Sequence, residues 1–235
     1  MLLNNFYLNT TVILLISYFI GAIPSAYIAG RIKGIDIRKT GSQNVGGMNT
    51  FSSVGKIAGI IVAITDIGKG TLVAWLATKF SNDHPFIPLL AVVAAIVGHN
   101  WMIFIGFKGG KGLSTLIGGL LFLSPLSILF LYLLFMPAAI ILLKDTYVSQ
   151  GAALFFFSFF LWYREDSYYW CIFMILVSIV YSIKSYSLYK TYFTEDRRDI
   201  NPALKKIFKP FFKEDKYPSK GTQSRNKFRK TQENF

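Results

Sequence analysis

A single cysteine, Cys171, and two histidines, His84 and His99, are all this chain offers of the residues that build disulfides and soft metal sites. One cysteine permits no intramolecular disulfide. No metal cluster of Cys and His can be assembled either. Acidic residues are scarce as well, 12 against 25 lysines and arginines, for a net charge of +13. In a soluble protein that excess would point to nucleic acid. Here the basic residues sit in short loops and a tail between apolar runs, so membrane topology explains them better and no nucleic-acid partner is expected. The first stretch, Met1 to Gly30, has no charged residue at all. No basic region precedes its apolar run from about Val12 to Ala29, and no small-x-small site closes it. It therefore reads as a transmembrane helix, kinked near Gly21 and Pro24, and not as a cleaved signal peptide.

What the chain has in abundance is apolar residues, 53% of the total, with 17% aromatic. A helix crosses the hydrocarbon with roughly 20 residues at 1.5 Å each, and the runs here meet that length repeatedly. The expectation is an all-α, polytopic integral membrane protein of about seven transmembrane helices. After the first come spans at about Val54 to Thr78, Phe86 to Phe104, Leu113 to Ser124, Leu126 to Leu143, Val148 to Tyr163 and Tyr168 to Tyr186. Ser124-Pro125 is the hinge between the fourth and fifth. Arg31, Lys33, Arg38 and Lys39 follow the first span, which puts that loop in the cytoplasm and the amino terminus outside. The turn at Ser81 to Pro85 then lies outside with His84 as an ordinary exposed histidine. Lys144-Asp145 marks an inner turn and Arg164-Glu165-Asp166 an outer one of little net charge. Residues 1–190 form one membrane domain. Residues 191–235 read as a basic, disordered cytoplasmic tail with an amphipathic piece around Pro202 to Phe212.

Two loops and one span carry chemistry. Gly98 to Thr115, GHNWMIFIGFKGGKGLST, ends an apolar run and turns at once into glycine and lysine. Gly109, Gly110 and Gly112 lack a Cβ, so consecutive amides can turn inward as an anion-holding nest, while Lys108 and Lys111 add charge ahead of a helix. That is a phosphate site in outline; a basic loop that only sets topology is the plain alternative. A nucleotide P-loop fits worse, because Lys111 is followed by Gly112 and not by Ser or Thr. The earlier loop, Gly41 to Thr50, GSQNVGGMNT, alternates glycine with Ser and Asn, whose short side chains bind backbone or ligand oxygens. Asp66 and Lys69 lie three apart within the second span, on one helical face, at a depth where each charge costs about 3 kcal/mol unless paired or facing a polar cavity. A structural ion pair and a direct ligand role are equally consistent with them.

With these residues in hand, the chain resembles the bacterial membrane acyltransferases that move a fatty acyl group from acyl phosphate to glycerol 3-phosphate. GAIPSAYIAG, Gly21 to Gly30, is similar to the family's first-span signature. Asp36, Arg38 and GSQNVGGMN are similar to its first cytoplasmic motif, and DIGKG, Asp66 to Gly70, with the glycine and lysine loop, to the next two landmarks. The resemblance implies an enzyme without metal, cofactor or acyl-enzyme intermediate, in the bacterial inner membrane, making lysophosphatidic acid in the first step of phospholipid synthesis beside other enzymes of that route. It implies that Lys111, supported by Lys108 and the Gly109, Gly110 and Gly112 amides, holds a phosphate. Ser42 and Asn44 then orient substrate, Gly46 and Asn49 line the phosphate site, and Asp36, Arg38, Asp66 and Lys69 support it. His99 is a candidate base; a histidine bonded to backbone at a helix end, or proton uptake by a substrate phosphate, serves equally.

The chain departs from the family pattern in two places. Ser52 stands where an arginine is expected, and Gln43 and Met48 replace the usual Gly and Thr. The third motif, His-x-x-Asn with a following Ile and Arg-Leu, is not found; the stretch reads IKSYSLYKTYFTE, Ile183 to Glu195. Lys184, Lys190 and Arg197 are the basic residues placed to compensate. A catalytically inactive homologue that binds lipid or a partner enzyme is the alternative these departures leave open. A transporter-like protein is a third, resting on Asp66 and Lys69 alone.

Overall fold

The computed structural model describes residues 2–81, 83–143 and 146–194, with side chains described within 6–186 apart from 82 and 144–147. It is all-α, with no strand among the described residues. The elements are α1 (Leu2–Gly21), α2 (Ser25–Ile32), α3 (Gly47–Ser53), α4 (Lys56–Phe80), α5 (Phe86–Asn100), α6 (Leu113–Leu123), α7 (Pro125–Phe130), α8 (Met136–Leu143), α9 (Thr146–Glu165) and α10 (Tyr168–Thr194). Short 3-10 turns lie at Ile37–Lys39 and Ile103–Ile105, and a π-helical turn, Leu131–Phe135, joins α7 to α8.

Five stretches are long and apolar enough to cross a membrane: Phe6–Ile32, Lys56–Phe80, Phe86–Ile105, Pro125–Leu143 and Tyr168–Tyr186. Of the other two expected spans, α6 has 11 residues, short of the hydrocarbon thickness, and α9 has 20 with a more polar composition. The lipid-compatible surface is plain on α4, which turns Ile57, Ile60, Ile61 and Ile64 outward, and on α9, where Phe155, Phe156, Phe159 and Trp162 are exposed. Such a stripe would be unstable in water and is normal against acyl chains.

Without a hydrophobic driving force between helices in lipid, close packing rests on small residues. Helix pairs α1 with α5 and α4 with α6 do this here. A Cβ on Gly21 of α1 would collide with the Ala95 carbonyl of α5, and one on Gly98 of α5 with the Tyr18 carbonyl of α1. A Cβ on Gly70 of α4 would strike the Thr115 carbonyl of α6, and one on Gly118 of α6 the Ile67 carbonyl of α4. Around these pairs a large core joins α5, α6, α9 and α10 through Leu116, Leu154, Phe157, Phe173 and Tyr181.

The first span breaks where its sequence suggests, between α1 and α2 at Ala22 to Pro24. Proline removes an amide and frees carbonyls upstream, which must then find donors elsewhere. Lys69 of α4 supplies one: its Nζ donates to the Ile23 carbonyl at 2.6 Å.

Four expectations need revision. The loop Gly41 to Thr50 is irregular only to Gly46, and α3 then runs to Ser53, with the Thr50 hydroxyl bonded to the Gly46 carbonyl at 3.0 Å and Gly55, at φ 146°, ending the segment before α4. Its glycines and short polar residues hide that helix from a propensity reading. His84 is half-buried, its ring packed against Phe6 and Tyr169 and its Nδ1 accepting from the Phe86 amide at 3.3 Å. Of the expected outer turn Arg164-Glu165-Asp166, the first two residues end α9 and form a seam. Arg164 Nη1 donates to Ser124 Oγ at 2.8 Å, to Ser127 Oγ at 2.7 Å and to Glu165, tying the α6–α7 hinge to the end of α9. Helix α10 continues four residues beyond the boundary expected at residue 190. The Lys144-Asp145 turn, Arg197 and the tail past Thr194 lie outside the described residues.

Candidate functional site

The glycine loop closes over the end of α5. The Gly110 amide donates to the His99 carbonyl at 3.0 Å, and the Phe107 amide to the Met102 carbonyl at 2.9 Å, so the chain from Trp101 to Phe107 is a compact bulge. Phe107 holds φ 57°, a conformation a bulky residue adopts only under local constraint. Tyr18 of α1 pins the base of the bulge through a 2.8 Å bond from its hydroxyl to the Trp101 carbonyl. Gly112 takes φ 80° at the start of α6, a left-handed position that favours glycine, and a Cβ there would lie 3.0 Å from Asn100 Oδ1. A Cβ on Gly110 would run into His99 Nε2 and lie 2.8 Å from the Val45 carbonyl. The structure thus brings His99, Gly110 and the Gly41 to Thr50 loop together.

This corrects the nest. The Gly110 amide is already used on His99, so three consecutive inward amides are not offered. What remains is the amino-terminal end of α6, which has no side-chain cap, beside Lys111. Lys111 is half-buried and Lys108 exposed. Burial pushes the Lys111 ammonium down to about 8, because a charge removed from water favours losing its proton.

Asn49 organises the first loop. It is 1% exposed. Its Nδ2 faces the carbonyls of Ile37, Thr40 and Asn44 at 3.3, 3.0 and 3.0 Å. Its Oδ1 accepts from the Ser42 amide and the Ser53 hydroxyl, both at 3.1 Å. That exhausts the bonding capacity of an amide side chain, so Asn49 shapes the loop and does not reach a ligand. Gly46 is corrected for the same reason: its amide donates to the Asn44 carbonyl at 3.1 Å, and its carbonyl accepts from Thr50. Ser42 is exposed. Asn44 Oδ1 is buried without a hydrogen-bond partner among the described residues. Gln43 sits at φ 59°, which explains why a glycine suits that position better. Ser52, standing in place of the expected arginine, turns its hydroxyl back onto the Met48 and Asn49 carbonyls at 3.2 and 3.1 Å.

Asp36 and Arg38 brace one loop against the other. Arg38 donates through Nε and Nη2 to the two Asp36 oxygens at 2.9 and 2.8 Å, and through Nη1 to the Ile105 carbonyl at 3.3 Å. That guanidinium holds the Asp36 carboxyl well below the usual carboxylate range, and the carboxylate in turn raises Arg38. Its planar fork is committed to this bracket and to the Tyr27 ring beneath it, 4.7 Å from the guanidinium carbon.

Behind the loops is a polar knot. Asp66 and Lys69 are 1% and 4% exposed and pair at 2.7 Å. The Ser25 hydroxyl donates to Asp66 Oδ1 at 2.6 Å, and Lys69 Nζ also reaches Ser25 Oγ at 3.1 Å. His99 Nδ1 lies 3.8 Å from the same Asp66 oxygen, too far for a hydrogen bond, and has no hydrogen-bond partner among the described residues. The pair therefore faces the protein interior.

The family model for glycerol-3-phosphate acyltransferase matches residues 11–191. The chain belongs to the glycerol-3-phosphate acyltransferase family. It is 39% identical over 178 residues to glycerol-3-phosphate acyltransferase 1 of Dehalococcoides mccartyi, spanning 73% of this chain and 85% of that one. To the glycerol-3-phosphate acyltransferase of Geobacillus kaustophilus it is 43% identical over 161 residues, or 67% and 79% of the two chains. Its fold is similar to the crystal structure of PlsY (YgiH), an integral membrane glycerol 3-phosphate acyltransferase, in the glycerol 3-phosphate form. That match has a TM-score of 0.67 and 26% identity over 79% of this chain and 92% of that one. The lysophosphatidic acid form of the same enzyme matches with a TM-score of 0.65 and 25% identity. This glycerol-3-phosphate acyltransferase homologue is an integral membrane protein of a phospholipid-synthesis family.

Sequence reasoning passed over two groups. Ser25, just after the Pro24 break, joins the buried pair, and only the break itself hints at it. Asn100 is fully buried, and neither its Oδ1 nor its Nδ2 has a partner among the described residues. A polar residue closing an apolar helix beside a histidine was the signal available for it.

Proposed function

We propose that the protein transfers a fatty acyl group from acyl phosphate to glycerol 3-phosphate, giving lysophosphatidic acid and inorganic phosphate. The observation that carries this reading is the half-buried Lys111 between two site glycines at the uncapped start of α6, in a chain whose family is glycerol-3-phosphate acyltransferase. The acyl carbon of an acyl phosphate is already activated. Catalysis then consists of positioning the glycerol hydroxyl against that carbonyl and stabilising the charge that develops on the carbonyl oxygen and leaving phosphate. The hydroxyl oxygen forms the new ester bond, the bond from acyl carbon to phosphate oxygen breaks, and the hydroxyl proton leaves with the phosphate or with His99.

In this reading Lys111 and the first amides of α6 hold a phosphate, Lys108 attracts it from solvent, and Gly109, Gly110 and Gly112 let the backbone approach. Ser42 and Asn44 orient substrate from the first loop. Asp66 sets the field around His99, and Asp36 with Arg38 keeps the two loops in register. A partner among other phospholipid-synthesis enzymes would supply the acyl phosphate or take up the product.

The deciding experiment is turnover of purified protein in lipid with acyl phosphate and glycerol 3-phosphate. Release of phosphate together with lysophosphatidic acid is the expected result. Folded protein that binds phosphate substrates without turnover would reject it in favour of an inactive homologue, a reading favoured by Ser52 being turned onto its own helix in place of an arginine.

We place the site on the cytoplasmic face of a bacterial inner membrane, with about seven spans, the amino terminus outside and the tail inside, because the basic loops share one side of that count. A cysteine introduced at Asn5 is expected to react with an impermeant label in intact cells. Reaction only after permeabilisation would reverse the orientation.

A further inference from the structure

Eight buried side-chain atoms have no hydrogen-bond partner among the described residues, and three of them, Asn100 Oδ1, Asn100 Nδ2 and Thr115 Oγ1, belong to two fully buried residues. The packing of α5 on α6 brings those two residues together. A Cβ on Gly119 would meet the Val92 side chain, and one on Gly112 would meet Ile96, so the helices run antiparallel with Asn100 level with the start of α6. There its Oδ1 lies 3.0 Å from the place of a Gly112 Cβ. Gly112 and Thr115 are three apart and share a helical face, which sets the threonine hydroxyl about 4.5 Å further along the axis at 1.5 Å per residue. The glycine loop closes the place from above, since a Cβ on Gly109 would lie 2.6 Å from the Asn100 carbonyl oxygen.

An amide side chain has two N–H donors and two lone pairs, and leaving them unmet where water is excluded costs the folded state their desolvation. The complementary need stands beside it. Leu113, Ser114 and Thr115 open α6, their amides have no carbonyl within the helix to receive them, and Gly112 supplies no side-chain cap. Asn100 Oδ1 does not bond these amides directly. One water molecule can join the two sets. It accepts from an α6 amide, donates to Asn100 Oδ1 and reaches the Thr115 hydroxyl, which gives it the three partners typical of a buried water. That use takes one of the three amides and leaves two for a phosphate.

We propose that a sealed water molecule joins Asn100, Thr115 and the first turn of α6, and that Asn100 is thereby a positioning residue for the phosphate-holding end of that helix. Its effect runs through α6 and not through contact with substrate. The water follows from packing and unmet polar groups; the positioning role rests on the phosphate reading of α6 given above.

Radiolytic hydroxyl labelling of the full chain in detergent tests the water without altering the protein, because a bound water labels the side chains it touches even where bulk solvent does not reach. Ile96 and Leu116, buried beside the site, are expected to oxidise well above Leu154, which is as buried in the apolar core. Labelling of all three at one low level would overturn the proposal. The positioning role is read from Asn100→Ala and Asn100→Ser, which differ by one hydroxyl in the same space. In thermal stabilisation by inorganic phosphate, the serine variant is expected to half-saturate within about two-fold of wild type and the alanine variant to need about ten-fold more. Where turnover is measurable, the alanine variant should show a raised KM for a phosphate substrate with little change in kcat. Equal half-saturation in the two variants would make the amide a packing group and overturn the positioning role. So would loss of the fold in the alanine variant, with or without the serine one, since the polar group would then serve the fold. Wild type that shows the labelling but no response to phosphate removes the acyltransferase reading and the positioning role with it, and leaves the water in place.

Discussion

Lys111→Ala is expected to weaken phosphate-dependent binding or turnover by about ten-fold to a hundred-fold while leaving the fold in place. A charge-assisted contact to phosphate is worth roughly 1.5 to 3 kcal/mol, and the loop contributes little apolar burial that alanine would forfeit. Lys111 is half-buried, and that burial draws its pKa down from 10.5 to about 8. The pH dependence follows with a definite sign. A phosphate monoester is mostly dianionic above about pH 6, and Lys111 stays charged below about 8. Binding should be strongest between these values and fade as pH rises further. Stability moves the other way. The unfolded lysine keeps its proton up to its ordinary pKa of 10.5, so above about 8 the unfolded state holds more protons than the folded one. The burial penalty on the charge, fully present below 8, is relieved as pH climbs. Glycerol 3-phosphate affinity and ligand-free melting temperature, followed in parallel across this range, should diverge in wild type and run level in Lys111→Ala. Parallel curves in wild type, or unchanged affinity in the variant, would remove Lys111 from the phosphate site.

Asp66→Ala should damage the fold more than removing both members of its ion pair. It leaves Lys69 buried without its carboxylate and strips the Ser25 hydroxyl of its acceptor. Breaking one member of a buried pair costs about 3–5 kcal/mol, chiefly for the charge left behind. Replacing both partners, Asp66→Leu with Lys69→Met, removes that charge. What it still loses is the Ser25 hydroxyl's acceptor and one of two donors to the Ile23 carbonyl, which keeps the Ser25 amide. The single variant is therefore expected to unfold at lower denaturant than the double. Equal stability of Asp66→Ala and wild type would mean that the pair is peripheral to the fold.

Much of this architecture was readable because its signals are local. Apolar runs of span length, the Pro24 break and the glycines beside Lys111 each carry their cause within a few residues. What stayed hidden depends on how the chain folds back on itself. Nothing near Asn49 says that its amide will collect three carbonyls and two donors, so it looked like a ligand when its bonding capacity is spent on the loop. The nest at Gly110 failed for a similar reason, since its amide finds the His99 carbonyl eleven positions back. Asp66 and Lys69 were visible as a pair on one helical face, but not the carbonyl at Ile23 that the lysine also meets. The helix α3 was hidden by residues whose propensities favour turns, and its Asn49 fastens the loop before it.

The 2.6 Å bond from Lys69 to the Ile23 carbonyl also orders events during synthesis. The first span leaves the ribosome ahead of the helix that carries Lys69. For that interval the carbonyl released by the Pro24 break has no lysine to meet, and the Ser25 hydroxyl has no carboxylate. The first span is therefore incomplete by itself, and the second span finishes it.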